Sequence, residues 1–341
     1  MADKKMQVAF SALDPFIEIN IPKPTQKEVS GKRYIPYGSR NEYPAYMLDC
    51  YKNCSTLKAI IDGNVNFVLG DAILFDGSPM DEYRKEQLRE LVRDYYIFGY
   101  GFLQVLSNPF GQIEREVRLP AEFVRTDKDH QAFWFSEKWY KGGEQKALVY
   151  PVYGKDTTNG VLMFGKGRDV YPSTLWSASI VSVETERNID NFHINELENN
   201  FLSSAIVSMC NGVPDDAAKE EIEKNMREKF SGNQNAGRIM ILFSDSVQNR
   251  AIVDRLGTDN FDTRYKELAK RCREQIFIAF KAQPILFGLT SETNTGFSTQ
   301  EFSDLFRLYN KVMISPVQDM LKDMYRRIYG RDILTIQPFT L

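Results

Sequence analysis

The chain has 341 residues, 43% hydrophobic and 26% charged, enough apolar side chain for a sizeable core and outside the composition of disordered chains. Lys and Arg number 43 against 46 Asp and Glu, a formal net charge of −3, which excludes an overall basic field that would hold nucleic acid by charge alone. No stretch approaches the roughly eighteen apolar residues of a membrane span, and the opening MADKKMQVAFSALD has no secretory apolar core, so a soluble, unsecreted protein is expected.

In residues 1–43, Pro15, Pro22, Pro24, Gly31, Pro36 and Gly38 fall too close together for a regular element, which predicts an extended arm. Its Phe10, Phe16, Ile17, Ile19 and Ile21 need cover, for which a neighbouring subunit is one candidate. From Pro44 to Leu69 the pattern is helical, with a break around Asn53 to Ser55 and an end at Gly70. Cys50 and Cys54, spaced C-x-x-x-C within it, read as reduced, half-buried thiols. Ser78, Pro79 and Asp81 supply an N-cap, a first-turn proline and a capping-box acid for a helix that puts Leu88, Leu91, Val92 and Tyr95 on one face and ends near Gly99.

The segments GFLQVL and IEREVRL about an NPFG turn predict a hairpin, and AFWFSEKWY, ALVYPVY and GVLMF extend it into a small antiparallel sheet. Pro172 opens a helix from Ser173 to about Asn200, long enough to span roughly 42 Å at ~1.5 Å per residue. A short β-α-β follows: SAIVSM, a helix from Pro214 to Phe230, and RIMILF. The helix stripes Ile222, Met226 and Phe230 together and pairs Asp215 with Lys219, Glu220 with Lys224 and Glu223 with Arg227 at i, i+4, leaving a solvated, charged face.

A second long helix runs from about Asn260 to Lys281, with Phe261, Tyr265, Leu268, Cys272, Ile276 and Phe280 at steps of three and four, and Gln283-Pro284 ends it. Residues 288–297, GLTSETNTGF, form a polar loop. Ser298 with Glu301 then caps a final helix to about Tyr329, which Pro316 should kink by removing a hydrogen bond to Val312, and ILTIQPF is a late strand.

Catalytic motifs fail on inspection. Gly160 to Gly167 matches G-x-x-x-x-G-K, but Gly167 replaces the required Ser or Thr and the interior is four bulky apolar residues, so it reads as a strand with a glycine turn. His130 and His193 have no partner at metal-ligand spacing, and Asp127 with Asp129, or Asp215 with Asp216, read as turn or cap acids. No nucleophile elbow or dinucleotide fingerprint occurs, so neither a cofactor nor an enzyme is expected. What remains is a small β-α-β unit carried between two long helices, either projected towards a partner or inserted in an ordinary α+β domain.

Three stretches resemble the portal proteins of tailed bacteriophages: residues 41–71 (NEYPAYMLDC…NFVLGD), residues 196–243 (ELENNFL…NAGRIMILF) and residues 273–318, where a helix runs into F-x-x-x-P-x-L-F-G. Together they cover about 125 residues in the family's order. The resemblance implies an α+β portal-type fold, with an N-terminal arm at 1–40 and an α/β wing at 41–180. Two stem helices at 181–204 and 257–284 would flank a β-α-β clip at 205–256. A tunnel loop at 285–298 and a kinked helix with a short strand at 299–341 would complete it, leaving a minimal crown.

It also implies a homo-oligomeric ring, of twelve subunits, at one capsid vertex of the virion, assembled in the host cytoplasm. Double-stranded DNA would be packaged and ejected through the ring. Terminase, the major capsid protein and a head–tail adaptor would be its partners, with no membrane involved. Thr290, Ser291, Glu292, Thr293, Asn294 and Thr295 would line the channel, weak and polar as sliding DNA requires. Lys266, Lys270, Arg271, Arg273 and Lys281 would be the basic side chains of the stem, and Lys219, Glu220, Glu223, Lys224 and Arg227 the partner surface of the clip. Another phage head or neck adaptor, or a cytoplasmic α+β enzyme, is the alternative.

Overall fold

The computed structural model describes residues 21–139, 146–154, 159–165, 167–198, 205–209, 215, 221, 239–243, 261–289 and 299–339. The chain divides into two compact units, residues 20–184 with 271–341, and residues 1–19 with 185–270.

The larger unit opens with helices α1 (Tyr43–Asn53) and α2 (Ser55–Leu69), separated at Cys54, whose extended backbone interrupts the helical run where the sequence places the break. Cys50 and Cys54 are fully buried rather than half-buried thiols. α2 buries Leu57, Ile60, Ile61, Val65 and Val68, and Gly70 ends it at φ 64°, ψ −163°, a conformation essentially confined to glycine. Strand β1 (Ala72–Phe75), which the sequence reading does not anticipate, lies between β2 (Ser78–Pro79) and the C-terminal β11 (Leu334–Gln337), antiparallel to both.

That pairing corrects the expected cap of the next helix, α3 (Glu82–Phe98). Ser78 is committed to strand pairing with Phe75, so the N-cap falls to Asp81, whose carboxylate accepts the Arg84 N–H at 2.9 Å. α3 buries Leu88, Leu91 and Val92 as its periodicity predicts and ends at Gly99.

Strands β3 (Gly101–Ser107) and β4 (Ile113–Leu119) form the expected hairpin, and β8 (Asn159–Phe164) pairs with the other edge of β3. The expected single sheet is instead two. Beyond Pro120 a 3₁₀ turn at Ala121–Phe123 redirects the chain into β5 (Val124–Thr126), β6 (Ala132–Phe135) and β7 (Leu148–Pro151), a separate antiparallel sheet. Within the Gly160-to-Gly167 string, residues 160–164 belong to strand β8 and Gly165 follows with a positive φ of 104°. Asp127 is the turn acid the sequence suggests: its carboxylate accepts the N–H groups of Gln131 and Ala132 at 2.8 and 3.2 Å.

Of the arm, residues 21–42 carry no regular element and lie against this same unit. Tyr37 stacks on Tyr171 at 4.8 Å, Gln26 exchanges two 2.8 Å hydrogen bonds with the Tyr171 backbone, and the Ile35 N–H donates to the Thr126 carbonyl at 2.9 Å. Residues 1–20, with most of the arm's apolar side chains, lie outside the described residues.

The helix expected from Ser173 begins later. Leu175–Ser179 is a 3₁₀ turn, and α4 spans Ile180–Glu198. The indole N–H of fully buried Trp176 reaches the carbonyls of Tyr96 and Ile97 at 3.2 Å, and the Thr174 hydroxyl donates to Tyr96 at 2.9 Å. Both satisfy carbonyls left unpaired at the end of α3, which delays the regular helix.

In the smaller unit, β9 (Ala205–Met209) and β10 (Ile239–Phe243) pair in parallel, register Ala205 with Ile239 to Met209 with Phe243. Parallel neighbours require a crossover of a dozen residues or more, which agrees with β-α-β. Glu221 is helical, and most of the intervening helix predicted from the sequence lies outside the described residues.

Helix α5 (Phe261–Ala279) follows, then a 3₁₀ turn at Pro284–Phe287. Helix α6 (Thr299–Tyr309) continues through a π-helical turn, Asn310–Ile314, into α7 (Ser315–Tyr329). Pro316 therefore does not simply delete one bond from a regular helix. The ladder widens just before it, with the Ser315 N–H donating to the Asn310 carbonyl, so Pro316, which has no N–H to donate, falls in the first turn of α7, where a helix tolerates it.

Candidate functional site

The basic residues singled out on the second long helix can be placed. α5 and the residue just after it bury Cys272, Ile276, Phe277 and Phe280, one apolar stripe, and α5 leaves Lys266, Lys270, Arg271 and Arg273 exposed on its other faces. Lys281 sits just beyond the helix with a left-handed backbone, φ 51°. Around it the Ala282 N–H donates to the Phe277 carbonyl and the Lys281 N–H to Ile278, both at 2.9 Å, the hydrogen-bond pattern of a Schellman end. Glycine is the usual occupant of that position, and here a lysine holds it with its side chain in solvent.

Thr290, Ser291, Glu292, Thr293, Asn294 and Thr295 lie outside the described residues, as do Lys219, Glu220, Glu223, Lys224 and Arg227. The two anchors of the predicted loop are defined, however. On its entry side the 3₁₀ turn puts Phe287 against Phe277 (ring centroids 5.9 Å), Phe67 (5.8 Å) and Tyr309 (6.1 Å). On its exit side Phe306 meets Phe67 at 5.4 Å. Both ends of the loop are thus fastened to one helix, α2.

Polar contacts fix the same place. The Tyr309 hydroxyl, its ionisation suppressed by burial, donates to Asn64 Oδ1 at 2.6 Å, and Gln318 Nε2 donates to the Val68 carbonyl at 2.9 Å. α2 approaches the turn closely at Gly63, where a Cβ would lie 2.7 Å from two ring carbons of Phe287. Phe287 belongs to the F-x-x-x-P-x-L-F-G string, but its neighbours on α2, Gly63 and Phe67, carry only a helical pattern in the sequence. The distance of some 220 positions between them left no local signal.

A charged cluster lies elsewhere in the same unit. Buried Asp94 accepts two hydrogen bonds from Arg118, at 2.7 and 2.5 Å, and a third from the Ala121 N–H at 3.3 Å. Burial pushes its carboxyl up to about 7, against the pull of Arg118. Next to it, Tyr51 donates to Asp62 at 2.6 Å, Lys58 bridges Tyr51 and Asp62, and Arg93 contacts Asp62 and Glu90. Each acid here faces a base, an arrangement that holds elements together. Among the described residues no group of three or more His, Cys, Asp or Glu is placed to hold a metal ion, and no helix is long and apolar enough to cross a membrane.

A family model described as phage portal protein matches residues 74–334. No curated protein matches the chain. Among solved structures, the chain is similar to one in the neck of a native gene transfer agent particle computed with C12 symmetry, with a TM-score of 0.55 and 14% identity over 86% of this chain and 84% of that one. It is similar to a chain of the native gene transfer agent virion (TM-score 0.53, 14% identity, 86% and 83% covered). It is also similar to an HK97-family phage portal protein from Corynebacterium diphtheriae (TM-score 0.52, 10% identity, 85% and 94% covered).

Proposed function

This chain belongs to the phage portal protein family, and from that premise we propose that twelve copies close into a ring through which double-stranded DNA enters and leaves the capsid. The protein is a structural component of the capsid vertex. The observation that carries the finer reading is the family match across residues 74–334, most of the chain. The twelvefold symmetry of the neck that holds a similar chain supports the ring size.

In this reading residues 1–40 are the arm, 41–180 the wing and 299–341 the kinked support helix with its strand. Residues 181–204 and 257–284 form the stem, and 205–256 the clip, which docks terminase during packaging and a head–tail adaptor afterwards through Lys219, Glu220, Glu223, Lys224 and Arg227. Residues 285–298 form the tunnel loop. The exposed side chains of Lys266, Lys270, Arg271, Arg273 and Lys281 support a weakly basic stem. A handful of cations balanced by acids gives contacts that let phosphates pass, since each neutralised phosphate adds affinity and salt dependence. The ring itself is not catalytic; the energy for packaging comes from the terminase partner.

Native mass measurement with negative-stain imaging tests this. The expected result is closed rings near twelve times the 39.4 kDa chain mass, with a central hole. A monomer or dimer at every concentration, with or without scaffold and capsid proteins, overturns it.

A further inference from the structure

Two large apolar side chains stand out from the larger unit on successive helices. Ile278, in the last turn of α5, is 64% exposed, and Leu308, in the last turn of α6, is 61% exposed. Each points away from the buried residues of its own helix, Cys272 and Ile276 on α5 and Phe306 and Tyr309 on α6. At such exposure neither covers the other within one copy.

The charges around the two are set out alike. Glu274 lies four residues before Ile278 and Lys281 three after it; Asp304 lies four before Leu308 and Lys311 three after it. All four charged side chains are exposed. Residues four apart share a helix face, so each helix presents an acid, then an apolar side chain, then a base about one turn further on. Asp304 has partners on its own helix, a 3.9 Å contact with Arg307 and 3.2 Å hydrogen bonds from Gln300, all exposed and readily exchanged. Glu274, Lys281 and Lys311 have no ion-pair partner among the described residues. Laid antiparallel with Ile278 against Leu308, the two stripes bring Glu274 to Lys311 and Lys281 to Asp304. Laid parallel, they oppose acid to acid and base to base.

We infer that α5 of one copy packs antiparallel on α6 of the next, with Ile278 against Leu308 between the Glu274–Lys311 and Lys281–Asp304 pairs. The apolar pair supplies adhesion and the charges fix direction and register. Each stripe is also complementary to itself, but a self-paired stripe makes a two-fold contact, which a purely cyclic ring does not contain. Unlike faces meeting head to tail build a ring when the rotation closes. The inference rests on the ring reading above and assigns residues to its subunit contact. Lys281, among the basic residues of the stem, then serves the contact between copies.

The experiment uses the full chain. Ile278→Cys and Leu308→Cys proteins, alone and mixed, are treated with a short bismaleimide and compared with wild type on denaturing gels, with the joined residues mapped by mass spectrometry. The mixture should give copies joined through positions 278 and 308, well above either variant alone. Glu274→Lys and Lys311→Glu should each raise the concentration needed for assembly by roughly fivefold at low salt, and the double variant should return to within about twofold of wild type. That rescue separates lost pairing from lost folding. Wild-type rings in which the mixture stays unjoined, or each cysteine variant joins only to itself, overturn this contact and leave the ring standing, as does a double charge variant that assembles no better than the single ones. Wild-type protein that never assembles overturns the ring and this contact with it.

Discussion

Gly63→Ala isolates the packing that anchors the loop between α5 and α6. In the interior of an exposed helix, alanine in place of glycine stabilises by about 1 kcal/mol. At Gly63 the added Cβ would fall 2.7 Å from Phe287 Cδ1 and Cε1, well inside contact distance. Phe287 has little room to retreat, because Phe67, Phe277 and Tyr309 hold its ring on three sides at 5.8 to 6.1 Å. Forcing an extra carbon into such packing costs about 1–3 kcal/mol, so the two effects oppose and the net is a loss of up to about 2 kcal/mol.

The sign should reverse once the ring is gone. In a Phe287→Ala background, Gly63→Ala should stabilise by about 1 kcal/mol, giving a coupling of roughly 1–3 kcal/mol between positions 224 residues apart. Urea unfolding of the four proteins, compared in the same oligomeric state, measures the cycle. If Gly63→Ala stabilises the wild type as much as it does the Phe287→Ala protein, the anchor as described here is wrong.

Gly70→Ala should destabilise by several kcal/mol, because the residue keeps a glycine-only backbone angle and its Cβ would overlap the Gln337 carbonyl at 1.9 Å; thermal melting checks it, and a loss below about 1 kcal/mol would refute it. Lys281→Gly should stabilise by roughly 0.5–1 kcal/mol by relieving a left-handed lysine, read in the same urea assay; unchanged or lowered stability would show that the side chain contributes more than its backbone loses. Arg118→Met should cost about 3–5 kcal/mol at a pH well above 7, where Asp94 is ionised and left buried beside Glu122 without its base, and less at neutral pH, where Asp94 takes up a proton. Because burial raises the Asp94 carboxyl to about 7, the native state binds more protons than the unfolded state between about pH 4 and 7. Its contribution to stability therefore falls as pH rises through that window and levels above it. Asp94→Asn should remove that part of the slope, and identical slopes in melting temperature against pH for the two proteins would contradict the assignment.

Long periodic runs were legible from sequence alone. The break at Cys54, the apolar face of α3, the β3–β4 hairpin, the parallel character of β9 and β10 and the stripe on α5 follow from spacing and turn chemistry, which act over a few residues. The family likeness was legible for a related reason, since the order of such elements is itself a sequence property, and the match over 74–334 bears it out. The residues proposed to act on DNA and partners were chosen by that likeness, and of these only the stem cations fall among the described residues.

Other features were decided by contacts between distant segments. Strand β1 is four residues long and acquires its identity from β11, more than 250 positions away, and that sheet takes Ser78 from the cap it would otherwise have made. Trp176 turned the start of a helix into a 3₁₀ turn because the end of α3 needed donors. Pro316 announced a kink, but only the folded ladder shows the π turn that precedes it. Phe287 stood in a recognisable string, yet its role in fastening the loop depends on Gly63 and Phe67 arriving beside it. Local periodicity records how a segment buries its own face, whereas which hydrogen bonds and rings meet across that face is settled only when the chain closes on itself.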